Sequence, residues 1–239
     1  MAPISGRSGR RRRRRLLRAL IFDVDGTLAE TEELHRRAFN DTFAAQGLGW
    51  HWTPEDYGRL LRTTGGKERI ACFVAERGGD PARIDIAALH GAKTARYAAL
   101  MAAGGLRLRP GIAGLMAEAR AAGLQLAVAT TTSAPNVEAL CRACFGRAAA
   151  ELFDVIAAGD AVAAKKPAPD VYMLALARLG LAPQQAMALE DSRNGLLAAQ
   201  AAGVACIVSP SAYTAGEDFG GAARVVAEFS DLGGVKGLM

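Results

Sequence analysis

Ala19-Leu20-Ile21-Phe22-Asp23-Val24-Asp25-Gly26-Thr27-Leu28 passes from four apolar residues straight into a loop with two carboxylates, a glycine and a threonine. A short apolar run with no polar alternation, ending in turn-forming residues, reads as a strand buried on both faces, as strands of parallel sheets are. Similar runs recur downstream at Leu124 to Thr130, Phe153 to Ala158, Ala186 to Leu189 and Val204 to Val208. Between them lie segments of helical pattern: Ile112 to Ala122, Pro135 to Cys144, Pro169 to Leu179 and Asn194 to Ala202. Strand alternating with helix predicts an α/β fold, a Rossmann-like parallel sheet covered on both sides. Gly123, Gly180 and Gly203 fall where those helices should stop, the place a left-handed residue is needed.

One block breaks the alternation. From about Thr31 to Gly105 there is no comparable strand run, while Leu34, Ala38, Phe39 and Phe43, then Ile86, Leu89, Tyr97, Leu100 and Met101, keep helical spacing. The expectation is an inserted all-helical cap domain over residues 31–105, with Gly104-Gly105 and Arg109-Pro110-Gly111 marking the return. Residues 17–30 and 106–239 then form one core from both ends of the chain. An insert that leaves directly after the first strand overhangs the carboxyl ends of the strands, where open α/β sheets bind ligands.

The 239 residues, 51% hydrophobic and 22% charged, suit a compact globular chain and exclude a disordered or fibrous one. The formal charge of +5 is unevenly placed: residues 1–18 hold eight arginines and no acid, so the rest of the chain carries −3. Residues 1–16 are therefore expected to be a disordered basic tail. No basic surface with interleaved aromatics continues beyond it, which argues against a nucleic-acid partner. No run of 18 apolar residues and no signal-peptide core occurs, so neither a membrane nor a secreted protein is expected. Cys141 and Cys144 have metal-ligand spacing but no second pair of ligands, and read as packing in a helix. Four reduced cysteines and a cytoplasmic monomer are the expectation, with chloroplast stroma as the eukaryotic alternative.

The chemistry lies at the strand ends. Asp23 and Asp25 follow the first strand, Thr130 the second, and Glu190-Asp191 the fourth, while Lys165-Lys166 precedes Pro167-Ala168-Pro169-Asp170 at a helix start. One polar strand end is commonplace; several on a single rim indicate a site. Clustered carboxylates repel by about 4 kcal/mol per pair at 4 Å and an effective dielectric near 20, so they call for a cation. Mg2+ takes oxygen ligands and readily shares a substrate phosphate, and with a lysine beside it phosphoryl transfer is the reaction the set suits.

The ordered set Phe22 to Leu28, Thr130, Lys166 and Glu190-Asp191 resembles the four-motif signature of haloacid-dehalogenase-type phosphatases. The stretches Ala29 to Asn40, Thr63 to Ile70 and Ala129 to Ser133 are similar to the CbbY group within it, phosphatases of xylulose-1,5-bisphosphate, a misfire product that inhibits Rubisco. The resemblance implies a small-molecule sugar bisphosphate as substrate and Mg2+ as cofactor. It makes Asp23 the nucleophile and Asp25 the acid and base, with Thr130 and Lys166 on the phosphoryl group. It implies metal binding by the Asp23 carboxylate, the Asp25 main-chain carbonyl and Asp191, with Glu190 as a further or supporting ligand. In the cap, Gly65, Gly66, Lys67 and Arg69 are expected to cradle a second phosphate. Glu32, His35 and Arg36, with Thr131, Thr132, Ser133 and Asn136, are candidates for the sugar hydroxyls or the remote phosphate; His35 could act directly or through another group. Lys166 rather than Lys165 fits the Lys-Pro-x-Pro-Asp pattern as the inward lysine. His51 and His90 have no motif and read as ordinary surface or packing residues. A β-phosphoglucomutase-type mutase and a phosphoglycolate phosphatase share the motifs and stay open as alternatives.

Overall fold

Strand β1 (Ala19–Phe22) is completely buried, its side chains alternating between two apolar clusters on opposite faces of a sheet: Leu20 and Phe22 on one, Ala19 and Ile21 on the other. The computed structural model describes residues 17–238, so the basic tail expected over residues 1–16 lies outside the described residues. After β1 the chain runs through four helices, α1 (Glu32–Ala45), α2 (Pro54–Leu60), α3 (Gly66–Glu76) and α4 (Ile86–Ala102). It returns through α5 (Ile112–Ala121) to β2 (Gln125–Ala129), then α6 (Ala134–Phe145), the one-turn α7 (Ala149–Leu152) and β3 (Val155–Ala157). Helix α8 (Asp170–Leu179) leads to β4 (Ala186–Glu190), and α9 (Arg193–Ala201) to β5 (Ala205–Val208) and β6 (Arg224–Val225).

The six strands are all parallel in the order β3-β2-β1-β4-β5-β6. Each half of the sheet winds away from β1, so the strand ends open a crevice there, at the topological switch point. Register fixes what faces it. Phe22 lies level with Val128 and Leu189, which puts Asp23 beside Glu190, one residue past the paired rungs. The Asp23 amide donates to Leu189 O at 3.0 Å and the Thr130 amide to Ala157 O at 3.0 Å.

Strand β6 has no counterpart in the apolar pattern. Its two residues are exposed, Val225 by 50%, so pairing with β5 and not burial makes it a strand. Gly123, Gly180 and Gly203 have φ of 75°, 67° and 75° at the ends of α5, α8 and α9, a conformation cheap only without a Cβ.

Helices α1 to α4 have an apolar cluster of their own around Phe39, Phe43, Trp52, Tyr57, Leu60, Ile70 and Phe73. Two of them serve both layers. In α1, Ala38 packs toward the sheet while Phe39 and Phe43 enter the helical cluster; in α4, Tyr97, Leu100 and Met101 face the sheet side and Leu89 the helical one. This paired footing holds the insert over the strand ends. Helix α2 starts at Thr53 with a capping box closed by Asp56 and proline next in line, a strong local start signal.

Candidate active site

A cleft of about 500 Å³ lies between the strand ends and the helical insert. Its floor is Asp23, Asp25, Thr130, Lys166 and Asp191; its roof includes Glu32, His35, Gly65, Gly66, Lys67 and Arg69; and Thr131, Thr132, Ser133 and Asn136 form one wall. Residues far apart in sequence meet here because every parallel strand ends on the same side.

Lys166 is buried and donates from Nζ to Asp23 Oδ1 and Glu190 Oε1, both at 2.6 Å. Lys165 turns aside to the Gly159 carbonyl. Glu190 Oε1 also accepts the Tyr172 hydroxyl at 2.5 Å, while its Oε2 is buried without a partner. Gly195 leaves room for that carboxylate, since an added Cβ would come within 1.9 Å of Oε2. Asp191 passes over Gly26, where φ is +81° and an added Cβ would lie 2.2 Å from Asp191 Oδ2.

One lysine does not balance this group. Burial pushes the Asp23 carboxyl up to about 8, with Lys166 pulling it down and Glu190 adding to the rise. Burial, with Asp23 and Glu190 nearby, also drives Asp191 well above the usual carboxylate range. For Lys166, burial opposes the charge but Asp23 and Glu190 outweigh it and keep the ammonium protonated. Carboxylate oxygens of Asp23, Glu190 and Asp191 lie within 4.8 Å of one another. An under-neutralised set of hard oxygen donors, one of them an orphaned buried atom, fits a divalent cation. The Asp25 carboxylate stands outside this cluster.

Asp25 is held from behind. Its Oδ1 accepts from Thr31 Oγ1 at 2.7 Å and from His35 Nε2 at 2.9 Å. Burial works to raise this carboxyl, but His35, Thr31 and Lys93 together hold it below the usual range. His35 stacks on Tyr97 with ring centroids 3.9 Å apart, and its Nδ1 lies 2.5 Å from Lys93 Nζ. His35 therefore braces Asp25 as well as lining the cleft.

In the roof, Tyr57 donates to Glu32 Oε2 at 2.7 Å and accepts from Arg69 Nη1 at 2.9 Å. Arg69 also lies over the Tyr57 ring, 5.1 Å from its centroid. Gly65 begins α3 at φ +94°, and the first-turn amides of this helix border the cleft beside Lys67. In the wall, Asn136 Nδ2 donates to Thr132 Oγ1 at 2.9 Å, while Asn136 Oδ1 and Ser133 Oγ are buried without partners.

Two sequence expectations are corrected. His90 is not an ordinary surface or packing residue: it lines the cleft against Gly66, whose added Cβ would lie 2.4 Å from His90 Nε2. Burial, with Lys93 and Lys67 near, pushes it down to about 4, so it is neutral. Arg36 does not reach the cleft, because its Nε donates to Glu33 at 2.8 Å and its Nη1 to the Trp52 carbonyl at 2.9 Å. Thr31, Tyr57, Lys93 and Tyr172 also serve the site and carry no motif in the sequence. Lys93 alone left a trace: it sits between Leu89 and Tyr97 at four-residue spacing, a charge in an apolar stripe.

Residues 17–203 match the model of the haloacid dehalogenase-like hydrolases, and the chain belongs to that family, as a phosphatase. CbbY of Cereibacter sphaeroides is 64% identical over 223 residues, 93% of this chain and 97% of that protein. The crystal structure of CbbY from Rhodobacter sphaeroides in complex with phosphate matches with a TM-score of 0.91 at 64% identity, covering 93% of this chain and 99% of that one. An aspartate-to-asparagine variant of that protein in complex with xylulose-(1,5)bisphosphate gives the same TM-score of 0.91 and the same coverage. Among the described residues no helix is long and apolar enough to cross a membrane.

Proposed function

We propose that this protein is a Mg2+-dependent phosphatase of xylulose-1,5-bisphosphate that works through a phosphorylated Asp23. The observation that carries the reading is the division of one cleft into two anion-seeking ends, Lys166 beside Asp23 on the floor and Lys67, Arg69 and the α3 amides in the roof. A volume of about 500 Å³ is in the range of small-molecule sites. The similar protein crystallised with xylulose-(1,5)bisphosphate supports the choice of sugar.

In this reading residues 31–105 act as the cap and the rest as the catalytic core. Lys166 occupies Asp23 Oδ1, so attack falls to Oδ2. The Asp23 Oδ2–phosphorus bond forms as the bond from phosphorus to the sugar oxygen breaks, and Asp25 gives its proton to the leaving oxygen. Asp25 then takes a proton from water, whose oxygen attacks phosphorus and frees Asp23 as inorganic phosphate departs. At rest Asp25 is ionised; the approaching dianionic phosphate raises its proton affinity, so Asp25 takes up from solvent the proton that it then gives to the leaving oxygen. His35 and Lys93 hold Asp25 in place through both changes. Lys166 and Thr130 stabilise charge on the transferring oxygens. Bound Mg2+ supplies the positive charge that lets an anionic phosphate approach a carboxylate, and the Asp23, Asp191 and Glu190 carboxylates with the Asp25 carbonyl are the groups that would hold it. Glu32, Thr131, Thr132, Ser133 and Asn136 remain for sugar hydroxyls.

Phosphate release from xylulose-1,5-bisphosphate, ribulose-1,5-bisphosphate, glucose-1-phosphate and phosphoglycolate tests the reading. The highest kcat/KM is expected for the first, with turnover lost in EDTA and in Asp23→Asn. Full activity in EDTA, or sugar-phosphate isomers in place of inorganic phosphate, would contradict it.

A further inference from the structure

The segment after β5, Ser209–Thr214, joins the carboxylate cluster to the helical insert. It closes on itself as a short turn: the Thr214 amide donates to Ser211 O at 3.1 Å, and the Ser211 amide to Thr214 Oγ1 at 2.8 Å. Its buried side serves Asp191. Thr214 Oγ1 donates to the Asp191 main-chain carbonyl at 2.7 Å, and Ser211 packs against the same Gly26 that Asp191 crosses. Tyr213 projects from this turn in the other direction. Its hydroxyl donates to Glu33 Oε1 at 2.8 Å on α1, and its ring meets Tyr57 edge-on at 5.8 Å and 87°. Gly58 of α2 faces the ring closely, an added Cβ lying 3.5 Å from Tyr213 Cδ1. Among the described residues, Tyr213 is the one member of the helical aromatic cluster that comes from outside the insert. Tyr57, which it touches, is the residue that carries Glu32 and Arg69 in the roof.

We propose that Tyr213 is a positioning residue that couples the Asp191 carboxylate cluster to the seating of the cap, so that cation binding on the floor and closure of the roof favour one another. The turn from Ser211 to Thr214 is four residues long and hydrogen-bonded internally, so a shift of Asp191 is passed to Tyr213 rather than absorbed. A ligand moves such an equilibrium only by its difference in affinity for the two states, and the effect is reciprocal. The catalytic consequence rests on the sugar-bisphosphate reading above; the coupling itself does not.

The test is amide hydrogen exchange on the full chain, with and without millimolar Mg2+, in the wild type, Tyr213→Phe and Tyr213→Ala. Mg2+ is expected to slow exchange across residues 54–76 several-fold in the wild type, to do so in large part in Tyr213→Phe, which keeps the ring, and not to do so in Tyr213→Ala. By reciprocity, calorimetric Mg2+ affinity in Tyr213→Ala should fall, by no more than that same factor. For xylulose-1,5-bisphosphate, KM should rise about tenfold in Tyr213→Ala with kcat within about threefold, as expected for losing an edge-to-face pair and a hydrogen bond. Equal Mg2+-induced protection in wild type and Tyr213→Ala, no such protection in the wild type, or an unchanged KM would overturn the proposal. Absence of wild-type turnover would refute the substrate reading instead, leaving the exchange measurement to decide the coupling.

Discussion

Replacing Lys93 by Met should make the protein more stable below neutral pH and less stable in alkali, while impairing turnover throughout. Lys93 is 3% exposed, with its ammonium over the rings of Phe39 and Tyr97 and 2.5 Å from His35 Nδ1. Burial lowers it from 10.5 to about 7, Asp25 opposing the shift and Arg69 adding to it. Between those two values the unfolded chain binds a proton that the folded one does not, so folding stability rises with pH across the window, and the cost of the buried charge is fully present below pH 7. At about 1.4 kcal/mol per pH unit, the stability of wild type relative to Lys93→Met should swing by roughly 4 kcal/mol between about pH 6 and pH 10. The variant also leaves His35 Nδ1 without its partner, which costs about 1–3 kcal/mol at any pH. Lys93→Met should therefore be about 2 kcal/mol more stable at the acid end and about 2 kcal/mol less stable at the alkaline end. Urea unfolding at both ends measures this, and kcat should fall about 10- to 100-fold because Asp25 loses its braced imidazole. A stability difference that does not change with pH would refute the buried-ammonium account; unchanged kcat would refute the bracing.

Gly26→Ala forces a Cβ into Asp191 Oδ2 at a backbone φ of +81°, so Mg2+ affinity by calorimetry should drop at least about tenfold and stability by about 1–3 kcal/mol. Lys166→Met leaves the Asp23 and Glu190 carboxylates buried without their cation; in EDTA it should unfold about 3–5 kcal/mol more easily by urea titration, with part of the loss restored by Mg2+. Tyr57→Phe removes the hydroxyl between Glu32 and Arg69, so KM for xylulose-1,5-bisphosphate should rise about tenfold with kcat little changed.

The parallel sheet is legible because burial on both faces leaves an unmistakable mark: β1 and β5 are apolar throughout, β2 and β4 are apolar but for Gln125 at one end and Glu190 at the other, and glycines close the helices between them. The positions of Asp23, Thr130, Glu190 and Asp191 followed, since a buried strand can end only in residues that tolerate its polar exit. The helical nature of α1 and α4 was likewise written in residue spacing. Spacing did not reveal which charges those helices bury. His35 and Lys93 are 58 residues apart, and Tyr57 and Tyr213 lie on different layers of the molecule. Arg36, next to His35 in sequence, was expected in the cleft, but one residue is about 100° of helical turn, enough to take it to Glu33 and Trp52. His90 went the opposite way, reaching the cleft because Gly66 offers no side chain to keep it out. Local pattern therefore specified the strands, the helices and the acids at the strand ends, since these depend on near neighbours along the chain. Which lysine is neutralised by which carboxylate, and how the roof is held above the floor, emerged only when distant segments packed, because charge pairing depends on distance in space.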